Sequence, residues 1–277
     1  MGVFAIMAVM RFKNQEGYCF DHVRRRWVKR GGGVKRIDFP MTIPPLKTIN
    51  HDSMESIIKA FAPGDVQESV DLATFAHEGA VRKNLRLGVK DPYIAHPLRN
   101  TVRALTWVQG RMDDDVVLDI SHACLLHDVV EDAPERVQEF YHCHDDPIDI
   151  IADRFGDNVA DAVYAVSNPV NNATTRKEKN RLYVEHLSSV LPHDDIAVVV
   201  KCSDLWDNAG SLVYADDSMA QNLSVKYLPV ISMTIPLVEK MGNEVMVERM
   251  VRLQDMALRM SQGGRKELLE ERVWVNP

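Results

Sequence analysis

From Asp65 almost to the last residues, apolar side chains return at three- and four-residue steps, a period that an amphipathic helix satisfies and a strand does not. In DVQESVDLATFAHEGAVRKNLR the step runs through Val66, Val70, Ala73, Ala80 and Val81 behind an N-cap candidate, Asp65, so one helix is expected across the segment. PLRNTVRALTWVQ carries a second stripe on Leu98, Val102 and Leu105. In the third helix, DDVVLDISHACLLHDVVED, residues Val116, Ile120, Cys124 and His127 fall at i, i+4, i+8 and i+11, which aims His127 inward. The same period continues through DPIDIIADRFG, DNVADAVYAVS, TRKEKNRLYVEHLSSVL, DDIAVVVKCSDLWDN, SVKYLPVISMTIPLVEKM and NEVMVERMVRLQDMALRM. Only IAVVV is short and apolar enough to pass for a buried strand, and no second segment pairs with it convincingly. The chain has 277 residues, 45% of them hydrophobic, enough to bury an ordinary core without disulfide or metal staples. An all-α fold over residues 51 to 277 is the expectation.

Residues 1 to 50 read differently. An apolar start, MGVFAIMAVM, is followed by the basic run RRRWVKRGGGVKR (24 to 36) and the proline-rich FPMTIPPLK, a pattern that suits an arm or linker. The basic run reads as a solvated tail rather than a nucleic-acid patch, and Met41 and Met54 leave a later natural start open. The apolar start is about half of the roughly 20 residues that a spanning helix needs, and the basic residues follow it where a secretory signal would have them precede it. A net charge of −7 argues against non-specific nucleic-acid binding. Cys19, Cys124, Cys143 and Cys202 are widely spaced with no CxxC pair, which points away from disulfide or thiolate-zinc frameworks and towards the cytoplasm.

HDVVED, residues 127 to 132, crowds an imidazole and three carboxylates against the core-like ACLLHDVV. His127 pairs with Glu131 and Asp128 with Asp132 at i, i+4, so the four share one broad face. Burying three carboxylates together forces protonation or a desolvation cost of roughly several kcal/mol unless a cation joins them. EDAPE also fits a solvated helix end carrying an incidental histidine, and other segments decide between the two. Upstream stands His96 in DPYIAHPL; downstream, Asp204 shares a stripe with Ile196 and Val200, with Asn208 one turn on. Two imidazoles and two carboxylates form an N/O set suited to Mn, Fe, Co, Ni or Zn.

Taken in order, AHEGAVRK, DPYIAHPL, ACLLHDVVEDAPE, FGDNVADAVYAVS, RKEKNRLYVEHL, VVVKCSDLWDNAGSL and, more loosely, IPLVEKMG give the chain its likeness to known proteins, across roughly residues 70 to 242. It resembles the metal-dependent hydrolase domain of the RelA/SpoT family, a branch of the HD superfamily of helical phosphohydrolases. The resemblance implies an HD-type helical bundle in which His96, His127, Asp128 and Asp204 bind a divalent ion, usually manganese. It further implies a catalytic acidic pair, Glu131 and Asp132, and contacts to the nucleotide from Arg82, Lys83, Asn208 and Ser211, with Lys201 and Tyr227 as further substrate-binding candidates. The implied reaction removes the 3′-pyrophosphate of ppGpp or pppGpp, and the implied partner is a nucleotide substrate, with no nucleic acid or membrane and with the oligomeric state open. About 35 residues follow Gly242, too few for a synthetase domain of ordinary size, so a stand-alone small hydrolase is expected.

Three departures stand out. NLRLGVKD is longer than the family's usual link; Ser203-Asp204-Leu205-Trp206-Asp207-Asn208 stands where the family reads Ala-Asp-Arg-Leu-His-Asn; Ala133 replaces a threonine. Two other readings share the His, His-Asp, Asp order: another HD nucleotidase or deoxynucleotide triphosphohydrolase, and an idle HD fold that senses a nucleotide. Elsewhere, YHCHDD (141 to 146) reads as a polar loop rather than a second metal site, His77 and His122 as hydrogen-bonded core histidines, and the late methionines as core filling. Trp206, two residues past Asp204, is a candidate for the pocket border.

Overall fold

A computed structural model describes residues 18–21, 26–29, 51–86, 89–168 and 173–271. Of the expected arm it describes only β1 (Tyr18–Asp21) and β2 (Arg26–Lys29), an antiparallel pair; the rest of the arm, with most of its basic run, lies outside these residues. From His51 onward the architecture is all-α, as the apolar period requires, with one further antiparallel hairpin. Helices α1 (His51–Phe61) and α2 (Gln67–Ala76) lead into that hairpin, β3 (Val81–Arg86) and β4 (Val89–Pro92). Then follow α3 (Ala95–Val108), α4 (Asp114–Leu126), α5 (Val129–Asp132), α6 (Pro134–Tyr141), α7 (Pro147–Phe155) and α8 (Asp157–Val166). After α9 (Arg176–Val190) come α10 (Asp195–Gly210), α11 (Asp217–Lys240), α12 (Glu244–Ser261) and α13 (Arg265–Glu271).

Two expectations need correction. The helix expected across residues 65 to 86 ends at Ala76, because Gly79 takes φ +75°, a conformation open to glycine and costly for other residues. Asp65 still accepts a hydrogen bond from the Gln67 backbone N–H, 2.9 Å, just before α2, but the second half of the segment pairs as β3 with β4. The third expected helix is broken. It stops at Leu126, resumes for the single turn of α5, and breaks again at Ala133, where φ −148° and ψ 51° lie outside the α region that Pro134 disfavours for the residue before it. IAVVV is helical, in α10, whose first turn is capped by the Asp194 carboxylate on the Ala197 N–H at 2.9 Å.

The core lies around α3, α4 and α10, with α10 also packed on α8, α11 and α12. Nearly every residue of α3 is buried, although His96, Arg99, Asn100 and Arg103 are among them. A helix buried on all sides yet polar on one must satisfy those groups internally, and that need places α3 against α10. Met246, Met250, Met256 and Met260 of α12 are buried and fill the core around the late helices. No helix among the described residues is long and apolar enough to cross a membrane.

Leu125 is fully buried in α4. Leu125→Ala will lower unfolding free energy by about 2–5 kcal/mol, read from the urea midpoint at constant slope; a loss well under 1 kcal/mol would place this side chain outside the tight core.

Candidate metal and active site

Three elements deliver the site. His96 sits in the first turn of α3, His127 and Asp128 at the break between α4 and α5, and Asp204 two turns into α10. The helix break matters: a continuous helix would carry His127 and Asp128 away along one axis, whereas here both reach the same centre. His96, His127 and Asp204 each offer one donor atom, all within 4.8 Å of one another, and all three residues are buried. His96 Nε2 lies 3.2 Å from His127 Nε2 and 3.3 Å from Asp204 Oδ1; His127 Nε2 is 3.7 Å from the same oxygen. Asp128 sets one oxygen 3.3 Å from each imidazole, Oδ2 towards His96 and Oδ1 towards His127.

These separations can be compared with what a bound ion needs. Ligand bonds of about 2.1 Å put neighbouring donors about 3.0 Å apart at right angles and about 3.4 Å apart at the tetrahedral angle. The observed spacings straddle that range, so the His96–His127–Asp204 group could hold a metal ion, with Asp128 beside it. The electrostatics agree. Burial pulls His96 down and Arg82 adds to this, yet the hydrogen bonds with Asp128, Asp204 and Asp207 outweigh them and lift it to about 9. His127 also moves up: burial opposes the charge, and Asp128 and Asp204 favour it more. Burial would raise Asp128 and Asp204, but the imidazoles, and for Asp204 chiefly Lys201, hold both well below the ordinary carboxylate range.

Each imidazole is fixed from behind. His127 Nδ1 faces the Cys124 carbonyl at 2.9 Å, and His96 Nδ1 faces Asp207 Oδ2 at 2.8 Å. Asp204 is held by Lys201 Nζ, which donates to Oδ2 at 2.9 Å, and by Asn208 Nδ2, which donates to Oδ1 at 2.5 Å. Asn208 in turn accepts from Arg82 Nη2 at 2.5 Å, and Ser211 Oγ donates to the Asn208 carbonyl at 3.0 Å. Of the expected substrate-side residues, Arg82, Asn208, Ser211 and Lys201 therefore form one connected wall beside Asp204. Tyr227 is half-buried one layer out, its ring 5.2 Å from Lys226 Nζ. Lys83 lies on β3, and its side chain is outside the described residues.

The acidic pair behaves unequally. The Glu131 carboxylate accepts from Asn168, from its backbone N–H at 2.9 Å and its Nδ2 at 2.6 Å. Asp132 is shifted above the usual carboxylate value, first by loss of water and then by Asp128 and Glu131, against the Tyr93 hydroxyl. That hydroxyl also donates to Asp128 Oδ2 at 2.8 Å.

Several participants escape the sequence reading: Tyr93, Arg99, Arg103, Asp207 and Lys226. Arg99 and Arg103 stand at i+3 and i+7 from His96, and Asp207 at i+3 from Asp204, so helical spacing already puts them on the faces of the expected ligands. Lys226 Nζ lies 4.7 Å from the Tyr183 ring, and Lys201 Nζ lies 5.3 Å from the same ring. Trp206 turns inward, its ring 5.8 Å from the Arg249 guanidinium. His122 is a core histidine, 2.9 Å from Ser69 Oγ, and His77 stacks on Tyr93 with centroids 4.5 Å apart. Burial, joined by neighbouring cations and opposed by Asp128, lowers His77 to about 4. His142, Cys143 and His144 line a shallow cavity of about 370 Å³ with Glu135, Gln138 and Glu139; among the described residues no second group of three ligand side chains converges there.

No family model matches the chain. It is 22% identical over 237 residues to the bifunctional (p)ppGpp synthase/hydrolase SpoT of Escherichia coli K12, a match covering 79% of the chain and 30% of that relative. The same figures hold for the guanosine-3′,5′-bis(diphosphate) 3′-pyrophosphohydrolases of Escherichia coli O157:H7 and Shigella flexneri. The likeness is distant and supports a RelA/SpoT-type relationship. The chain spans less than a third of the length of these relatives.

Lys201 is the cation nearest Asp204. Lys201→Met will leave that carboxylate buried without its partner and will destabilise chelator-treated protein by about 3–5 kcal/mol in urea unfolding; an unchanged midpoint would show that the imidazoles alone carry its charge.

Proposed function

We propose that the chain is a metal-dependent phosphohydrolase that removes the 3′-pyrophosphate from (p)ppGpp-like nucleotides, giving GDP or GTP and pyrophosphate. The observation that carries this reading is the convergence of His96, His127 and Asp204, with Asp128, beside a titratable carboxylate and a basic wall. The distant likeness to 3′-pyrophosphohydrolases supports the reaction class.

In this reading His96, His127, Asp128 and Asp204 hold the ion, with Mn²⁺ the expected metal. When bound, such an ion would supply Lewis-acid polarisation of a phosphoryl oxygen and would lower the pKa of water from 15.7 towards about 7. Asp132, whose shifted carboxyl exchanges a proton more readily near neutrality than an ordinary aspartate, takes the proton from the attacking water or returns one to the departing 3′-oxygen. Water oxygen joins the phosphorus attached to the 3′-oxygen, the bond between them breaks, and the nucleoside leaves with a 3′-hydroxyl. Glu131, secured by Asn168, adds negative charge that keeps Asp132 protonatable. Arg82 presents a guanidinium to the phosphates, with Lys83 its neighbour in sequence, while Asn208 and Ser211 flank the nucleoside and Lys201 and Tyr227 line the far wall.

Chelator-treated protein given ppGpp will release pyrophosphate only after Mn²⁺ is restored, followed by a coupled phosphate assay. Asp132→Asn will lower kcat by about 10²- to 10⁴-fold with metal affinity retained. Absence of turnover across a panel of guanosine and adenosine nucleotides, with metal bound, would favour the idle nucleotide-sensing reading.

A further inference from the structure

Asp207 is fully buried, and its acceptor capacity is spent. Oδ1 accepts from Arg99 Nε at 2.7 Å and Arg103 Nη2 at 3.3 Å; Oδ2 accepts from Arg99 Nη2 at 2.9 Å and faces His96 Nδ1 at 2.8 Å. An ionised carboxylate offers about four lone-pair positions; these contacts meet them, and the Arg82 guanidinium stands 3.8 Å from Oδ2 as a further cation. Arg99 is itself tied at its other end, donating from Nη1 to Asp91 Oδ2 of β4 at 2.6 Å. Arg103 is pinned to Ser203, donating from Nη1 to its carbonyl at 3.1 Å. The carboxylate therefore has no second orientation to adopt.

A carboxylate flanked by two guanidiniums is an anion and can only accept, so the imidazole nitrogen 2.8 Å from it must carry the hydrogen. Nδ1–H fixes the opposite nitrogen, Nε2, as the one whose lone pair can be given to an ion, and Nε2 is the atom at the convergence with His127 and Asp204. Asn100, whose Oδ1 accepts from Arg103 at 2.9 Å, turns its Nδ2 towards that same Nε2 at 3.3 Å.

We propose that Asp207, held by Arg99 and Arg103, is a positioning residue that sets the tautomer and ring orientation of His96 for metal binding. This assignment rests on the metal reading given above and adds to it a residue that stands where the related family carries histidine. A neutral histidine at position 207 would remove the charge that Arg99 meets in addition to Asp91 and that Arg103 meets at 3.3 Å. The arginines and the aspartate are thus one exchangeable unit, and the anion in it makes His96 a stronger donor.

The test is Asp207→Asn, which keeps the shape. Its carboxamide must offer its oxygen to Arg99 and its NH₂ to His96, which selects the Nε2–H tautomer and blocks the metal lone pair, as happens when a carboxylate orienting a catalytic imidazole becomes an amide. In chelator-treated wild-type protein held above pH 9, where His96 is neutral, ¹⁵N-histidine NMR will show a protonated Nδ1 and an unprotonated Nε2 for His96, identified by their absence in His96→Gln, and Asp207→Asn will lose the Nδ1–H. Calorimetric titration with Mn²⁺ will show affinity about 10- to 100-fold weaker in Asp207→Asn. Should that variant not fold, Arg103→Met/Asp207→Asn removes one guanidinium with the charge and gives the same two readouts. Retention of the Nδ1–H signal, or Mn²⁺ affinity within twofold of wild type in the folded variant, overturns the proposal. Wild-type protein that shows the Nδ1–H signal but binds no metal overturns the metal reading instead and leaves the tautomer assignment standing.

Discussion

Three carboxylates inside a helical bundle, Asp128, Asp204 and Asp207, have to be neutralised locally, and the way each is neutralised organises everything around it. A lone buried carboxylate is expelled or protonated; one with matched cations becomes a fixed strut. Asp207 has two arginines and an imidazole and is saturated. Asp204 has one lysine and one amide for its two oxygens and leans on the imidazoles for the rest. Asp128 has a tyrosine hydroxyl and the two imidazoles, with no lysine or arginine ion pair among the described residues. Among the described residues, lysine and arginine partners therefore thin out from Asp207 through Asp204 to Asp128, the least buried of the three. A cation held among His96, His127 and Asp204 would complete that balance.

The same constraint accounts for the interrupted helix. His127 needs a backbone carbonyl for Nδ1, and Cys124 one turn earlier supplies it, which points Nε2 out of the end of α4. Asp128 lies beside that nitrogen, and the single turn of α5, stopped by Ala133-Pro134, leaves Glu131 and Asp132 exposed next to it. The segment read from the sequence as a choice between buried cluster and frayed helix end is both: buried at His127, exposed at Glu131 and Asp132.

Much of this was legible in the sequence. The helical period reports burial, so the all-α class and the inward face of His127 follow directly from spacing. The convergence of His96, His127 and Asp204 depends on helix packing that periodicity does not contain, and only the ordered resemblance across seven segments joined them. Two kinds of feature stayed hidden. Gly79 resembled any isolated glycine in a helical run, because its positive φ is a tertiary outcome, and so the β3–β4 hairpin was read as helix. Arg99 and Arg103 were given no role from the sequence, although they share a helix face with His96. That α3 is buried on its charged side as well follows from packing against α10, where Asp207 stands one turn past Asp204.

The β3–β4 hairpin, longer than the related family's link, belongs to the same electrostatic unit rather than decorating it. Arg82 reaches from β3 to Asn208, and Asp91 reaches from β4 to Arg99, so both strands end on residues one helical turn or less from the ligands of the proposed ion. Tyr93, just past β4, spans the gap between them: its ring lies 5.4 Å from the Arg82 guanidinium and its hydroxyl bonds Asp128. A movement of this hairpin that served a substrate base would pull on Asp207 through Arg99 and on Asp204 through Asn208. Changes in the linker and changes in the Asp204 to Asn208 segment are therefore not two independent departures from the family pattern. They meet through charge: Arg82 of β3 bonds Asn208, and Asp91 of β4 pairs with Arg99, which bonds Asp207.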